Sequence, residues 1–385
     1  MKQWISLIII IVYVVTVQAQ YPININKKYK LIDPSGKELT TVTYDKILPF
    51  SEDLAAVELN GKWGFIDPTG TVAIPVQYEK CFSFKHGLAL VRQEGLYGYI
   101  NKEGMVVIPI QYDAAWHFGD NNLASARQDG QWGYLDARGK VVVPFEYDFV
   151  RAFTGPVAVV GKKNKVGLID ATGKLVMPIF CDKIGDFSEG LVPVSRNEQG
   201  GYIGLDGKLK VSMIYHETTA FSEGLAAVRL NKKWGYVNKE GRELIDFNYE
   251  KAGPFINGVA RVMKDGKWLW IDKGDQAVLT TTYDLLGEQV EGLAQVHKNG
   301  KVGFINSKGA EIIPLIYDMC VTPNVSEGLV AVRKDKKWGY VNTKGKAITA
   351  FEYDKAENFK NGLARVLKGD QWGYLDVNGV VIYWE

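Results

Sequence analysis

The chain repeats itself about every 34 residues, and a short fixed period dictates an architecture of stacked, near-identical units before any single residue is considered. Anchored on the Gly of Lys62-Trp63-Gly64-Phe65-Ile66-Asp67, the position recurs at Gly98, Gly133, Gly167, Gly201, Gly235, Leu269, Gly303, Gly339 and Gly373. Lys30 holds it in a degenerate first copy. Successive spacings are 34 residues except for one of 35 and one of 36. These two coincide with insertions in residues 118–122 and 319–325, which therefore read as loops. Units are named below by their anchor residues.

Residues 54–84 show what one unit encodes. The segment from Leu54 alternates apolar and polar residues and ends at Asn60-Gly61, a pair suited to the positive φ of a tight hairpin. Trp63 to Ile66 is aromatic and β-branched and runs into Asp67-Pro68-Thr69-Gly70, where an Asx side chain can bond its own backbone two residues on. Thr71 to Ile74 is strand-like again, but Pro75 has no N–H to donate, which places this strand at an edge or ends it. Equivalent prolines stand at 109, 144, 178 and 314.

Helical repeats of the same period are excluded. Turn signals interrupt the chain every eight to ten residues, leaving no room for a helix with apolar positions at i, i+3 and i+4. The expectation is an all-β tandem array of about eleven three-stranded hairpin units over residues 28–385, after a lead-in at 20–27. Closed propellers usually have about 4 to 8 blades of about 40 to 45 residues, so an open twisted or superhelical array is favoured, with a closed propeller-like ring as the alternative.

Composition bounds function. With 46 basic and 44 acidic residues the net charge is +2, without the cationic surplus that nucleic-acid binding needs. Three Cys cannot form a disulfide framework. Residues 1–19 carry one Lys, an apolar run from Ile5 to Val17, and Val17-Gln18-Ala19, the pattern of a signal peptide cleaved before Gln20. That run falls short of the ~20 residues needed to span a bilayer, and no later stretch is apolar enough. A secreted, periplasmic or cell-surface protein, of bacterial type and without an integral membrane segment after cleavage, is expected.

The motif Lys-Trp-Gly-Phe-Ile-Asp, followed by Ile-Pro-x-x-Tyr-Asp and by Phe-Ser-Glu-Gly-Leu-Ala, resembles the WG (KWG) repeat of many exported bacterial proteins. The resemblance covers residues 28–385 and implies β-rich repeats with interaction or binding roles and no general catalytic residue. Two copies depart from it: Gly200-Gly201-Tyr202-Ile203-Gly204 lacks Trp and Asx, and Lys267-Trp268-Leu269-Trp270 has Leu for Gly.

The recurring Trp residues (63, 132, 234, 268, 338 and 372) could form an exposed ladder for sugars. Val166 and Val302 at the same position instead favour packing. The recurring Asx favours turn capping over calcium, which needs converging oxygen ligands. The Tyr-acid pairs and the hairpin lysines could form separated charge stripes, or the lysines could simply protect sheet edges. Four His lie apart in sequence, and no metal, phosphate-loop or nucleophile motif is present, so no cofactor, metal or enzymatic activity is expected. Off-pattern residues remain as candidate binding positions: Trp116, His117, His216 and Trp270. The function expected is a scaffold binding a protein or envelope component over an extended surface, or alternatively a carbohydrate or cell-wall module using aromatics.

Overall fold

In the Gly64 unit the alternating segment Ala55–Leu59 and the Trp segment Lys62–Ile66 form an antiparallel hairpin. Its turn residues Asn60 and Gly61 have φ of 52° and 75°, the left-handed values these residues accept most readily. A third strand, Val72–Tyr78, pairs along the far side of the Trp strand. A feature not read from the sequence completes the sheet: a two-residue lead strand, Lys46–Ile47, pairs with the outer edge of the first strand. Nine of the eleven sheets have this order of lead, first, Trp and third strands. The computed structural model describes residues 21–25, 28–280, 283–322 and 325–384. Among them every regular element is a β-strand; the expected leader at 1–19 lies outside them.

The anchor Gly is explained by the third strand. Trp63 faces Tyr78 and Phe65 faces Ile74, so three residues, Pro75 to Gln77, bulge opposite the single Gly64. A Cβ at Gly64 would lie 2.5 Å from the Ile74 carbonyl oxygen, and one at Gly133 equally close to that of Val143. In the Leu269 unit, Leu269 pairs with Thr280 and Trp270 with Leu279, the register that Gly373 and Tyr374 also keep with Trp384 and Tyr383 in the last unit. Pro75 is accommodated because it sits in the bulge of an edge strand; the strand continues past it.

The Asx residues cap turns as expected. Asp67 Oδ1 accepts the N–H groups of Thr69 at 2.9 Å and Thr71 at 3.0 Å. Asp136, Asp170, Asn342 and Asp376 make the same pair of bonds. The Gly201 unit, which lacks the Asx, shifts the task to Asp206, bonded to Lys208 N–H at 3.1 Å.

Adjacent sheets are clamped by Phe-Ser-Glu-Gly. Ser51, Ser188, Ser222 and Ser326 each donate to the carbonyl of a Phe in the next unit, at 2.6 to 2.7 Å. The following glutamates, Glu52, Glu189, Glu223 and Glu327, accept the N–H of the next unit's Gly at 2.9 to 3.0 Å. Between each pair of sheets lies one apolar core. Eleven sheets in an open stack make ten junctions, yet eleven cores are present. The eleventh joins Ile23 and Ile32 of the first unit to Leu363 and Tyr374 of the last.

The array therefore closes, and the open arrangement favoured on unit size gives way to the ring carried as its alternative. The seam repeats an internal contact. A Cβ at Gly36 would lie 2.1 Å from the Ile382 carbonyl oxygen, as one at Gly70 would lie 2.5 Å from that of Leu39 and one at Gly345 2.3 Å from that of Ile312. The ring is no barrel: the sheets, nine of them four strands wide, pack on their neighbours without merging into one hydrogen-bonded sheet.

Candidate binding cleft at the ring closure

The recurring side chains are mostly spent on holding the ring. Trp63 is buried and the other five Trp at its position are half-buried. Cations lie 4.2 to 5.9 Å from the ring centroids of Trp63, Trp132, Trp268, Trp338 and Trp372. This is packing with a cation–π cover, not an open ladder.

The acids and lysines are not separated stripes either. Asp318 pairs with Lys301 at 2.7 Å and Asp354 with Lys337 at 2.5 Å, each acid meeting the preceding unit's lysine. Asp45 and Asp182 pair likewise with Lys28 and Lys165. In all four the lysine is the first cause holding the carboxyl below its ordinary range.

The four off-pattern candidates belong to three different units, only Trp270 lying within a strand, and are not brought together. Trp116 is exposed, at 59%, and its carbonyl accepts the Tyr99 hydroxyl at 2.7 Å. His117 stacks edge-on against Phe82 at 5.3 Å, and burial, then nearby Lys85, lowers its pKa. His216 is exposed and occupies the acid position of a Tyr-acid pair, its N–H bonded to Arg229 O at 2.9 Å. Trp270 is corrected from a candidate contact to a core residue, 1% exposed. It takes an inner position that is Tyr in six other units, and beside it only about 20 Å³ of void remains.

That inner position governs how junctions close. Tyr99, Tyr134, Tyr202, Tyr236 and Tyr340 each donate their hydroxyl to a lead-segment carbonyl 17 residues on, at 2.5 to 2.8 Å. Each ring also packs at 4.7 to 5.0 Å on a Phe two residues beyond that carbonyl. Where Leu168 replaces Tyr, a cavity of about 250 Å³ opens beside Arg151 and Gly185.

The sixth Tyr of this kind, Tyr374, faces the seam. Its hydroxyl accepts from Asn24 N–H at 2.7 Å and donates to Asn24 O at 3.3 Å. Around it lies a cleft of about 510 Å³ bounded by Pro22 and Asn24, by residues 46–49, and by residues of the last unit. Lys46, Lys360 and Arg365 outnumber Glu357 on its wall, beside apolar Ile47, Leu48 and Leu363. Sequence reasoning overlooked this site. The signal was countable: lead segments run from the acid of each Tyr-acid pair to the next Phe, as in Asp45–Phe50, and the first unit's counterpart falls at residues 11–16, inside the expected leader.

Among the described residues no helix is long and apolar enough to cross a membrane, and no cluster of three His, Cys, Asp or Glu could hold a metal ion.

A family described as "WG containing repeat" matches nine stretches: residues 31–63, 63–97, 97–132, 132–165, 167–199, 201–234, 234–268, 303–338 and 338–372. The unmatched interval contains the Leu269 unit. No curated protein matches the sequence. Among solved structures, a eukaryotic initiation factor aligns at 12% identity over 79% of this chain and 96% of its own, with a TM-score of 0.44. The extracellular domain of a putative one component system, BT4673 of B. thetaiotaomicron, aligns at 8% over 95% of this chain and 64% of its own, TM-score 0.27. PorZ, a surface component of the type-IX secretion system of Porphyromonas gingivalis, aligns at 9% over 90% of this chain and 59% of its own, TM-score 0.27. Superpositions this loose carry no argument about function.

Proposed function

Since the chain belongs to the WG containing repeat family, we propose that it is an exported, non-catalytic ring scaffold whose task is to bind a protein, with the seam cleft as the principal contact. The observation that carries this reading is the cleft itself. At five other junctions the same place is closed by a Tyr hydroxyl, and beside Trp270 and Leu168 it holds smaller cavities, whereas at the seam about 510 Å³ stands beside both charged and apolar side chains. Export rests on the leader at residues 1–19, and mass spectrometry of the purified protein should find Gln20 at its N-terminus.

The carbohydrate reading has the exposed aromatics Trp116, Phe149 and Trp384 in its favour. A retention experiment separates the two. Tagged mature chain, its Lys360→Glu variant and a Lys140→Glu control are exposed to solubilised envelope proteins and, separately, to a glycan panel. A protein retained by the mature chain and the control but lost by Lys360→Glu supports the proposal. Retention of glycans with a shift in Trp emission, and of no protein, overturns it.

A further inference from the structure

Ten of the eleven units contain a lead segment that runs along the outer edge of the sheet's first strand. Its chemistry recurs: an acid and an apolar third residue in the same nine of the ten, and in most copies Phe at the sixth, as in Asp45-Lys46-Ile47-Leu48-Pro49-Phe50 and Asp182-Lys183-Ile184-Gly185-Asp186-Phe187. The N–H of its first residue donates to the first strand, as Asp45 does to Glu58 O at 2.7 Å, and that of its fourth does so again, as Leu48 does to Ala56 O at 2.9 Å. Where the preceding unit's inner residue is Tyr, at five junctions, the carbonyl of the fourth residue accepts its hydroxyl, as Glu357 accepts Tyr340 at 2.6 Å. The sixth residue, Phe359 there, packs on the same Tyr ring at 5.0 Å.

The Lys30 unit has its first strand, Tyr21–Ile25, and its Trp-equivalent strand, Lys28–Ile32, with no lead strand among the described residues. Asn24 and Pro22 are the counterparts of Glu58 and Ala56, and both border the cleft. The residues that would supply this segment in cis, 11–16, belong to the leader. Cleavage before Gln20, as proposed above, would leave the first unit without a lead segment of its own.

We propose that this place is filled in trans, by strand addition of an extended segment from a partner protein with the pattern acid, any residue, apolar, any two residues, Phe. Main-chain pairing supplies affinity in such complexes, and pockets for alternate side chains supply selectivity. The first and fourth N–H groups of the segment donate to Asn24 O and Pro22 O. Tyr374 exchanges its bonds with Asn24 for the carbonyl of the fourth residue, and its ring receives the Phe. Lys360 and Arg365 favour a segment of net negative charge, while Lys46 is already paired with Glu58 at 2.7 Å. The inference rests on the protein-binding reading above and names the kind of partner.

The probe is a fluorescein-labelled peptide with the sequence of residues 45–52, titrated with mature chain 20–385 by anisotropy. Saturable binding is expected, weakened about tenfold or more by scrambling the peptide or replacing its Phe with Ala. A second chain begins at residue 11 and carries the 45–50 sequence at positions 11–16, so that it fills the place in cis. It should unfold at a higher temperature and no longer bind the peptide. Failure of the mature chain to bind, equal binding of the scrambled peptide, or undiminished binding by the cis-filled chain would each overturn the strand-addition proposal. The retention experiment could still succeed in that event, through another face of the ring, so the two failures are distinguishable.

Discussion

At the scale of the residue, one atom decides the shape of each third strand. A methyl group at Gly133 would collide with backbone that bulges over it, so Gly133→Ala should cost about 1–3 kcal/mol through overpacking, read from denaturant midpoints. Leu269→Gly should give no comparable gain, because Leu269 already pairs directly with Thr280. The three cysteines are free thiols. Burial pushes Cys181 and Cys320 up to about 11, and Cys81 higher still. Alkylation of the native protein at pH 8 should therefore be slow at all three and become fast on unfolding.

The carboxylates paired with lysine have pKa values below the unfolded reference of about 3.9. Their stabilisation is present above that pH and is lost as pH falls through the lower native values. The urea midpoint should accordingly drop between about pH 4 and 2, and Lys337→Met should reduce the drop. Much of this scale was legible in sequence: Asx capping follows from side-chain chemistry at Asp67, and core packing of Trp from Val at 166 and 302. Trp270 misled because a residue that breaks a pattern can do so by filling space.

At the scale of the element, all three strands of the expected hairpin unit announced themselves, by alternation, by aromatic and β-branched content, and by Asn-Gly or Asx-x-x-Gly turns. The lead strand did not, because two residues such as Lys46–Ile47 are too few to show a period. What fixes it lies 17 and 34 residues away, in a Tyr hydroxyl and a Ser-Glu clamp, and such distant partners leave no local signature. The clamp is testable. Ser222→Ala removes a bond to Phe255 O and leaves that carbonyl to solvent or strain, so a loss of about 1 kcal/mol is expected. Glu223→Gln keeps an acceptor for Gly258 N–H and should cost less. Glu223 adopts φ of 52°, so Glu223→Gly should recover part of its clamp loss through relief of backbone strain.

At the scale of the whole molecule, unit size was a poor guide to closure, because the propeller norms describe units with more residues per four-stranded blade than these. The deciding contacts join residues about 350 positions apart, such as Asn24 and Tyr374, and no periodicity reports them. Closure predicts a pattern of hydrogen exchange. Amides of Leu31, Ile32 and Leu375 should be as protected as those of Tyr236 and Val237 in the ring's interior, since all are buried between sheets. Tyr374→Ala should expose the seam strands selectively, with a global cost of about 3–5 kcal/mol typical of losing a large buried aromatic. An open array would show frayed first and last units in the parent protein already.

The seam also fixes a number. Positions that recur around the circle offer a partner many equivalent places, and a ligand of the Trp or Asx positions would bind in multiples. A circle of any size has one join. Whatever occupies the cleft beside Tyr374 must therefore titrate at one molecule per ring, so that calorimetric stoichiometry alone tells a guest of the join from a guest of the repeats.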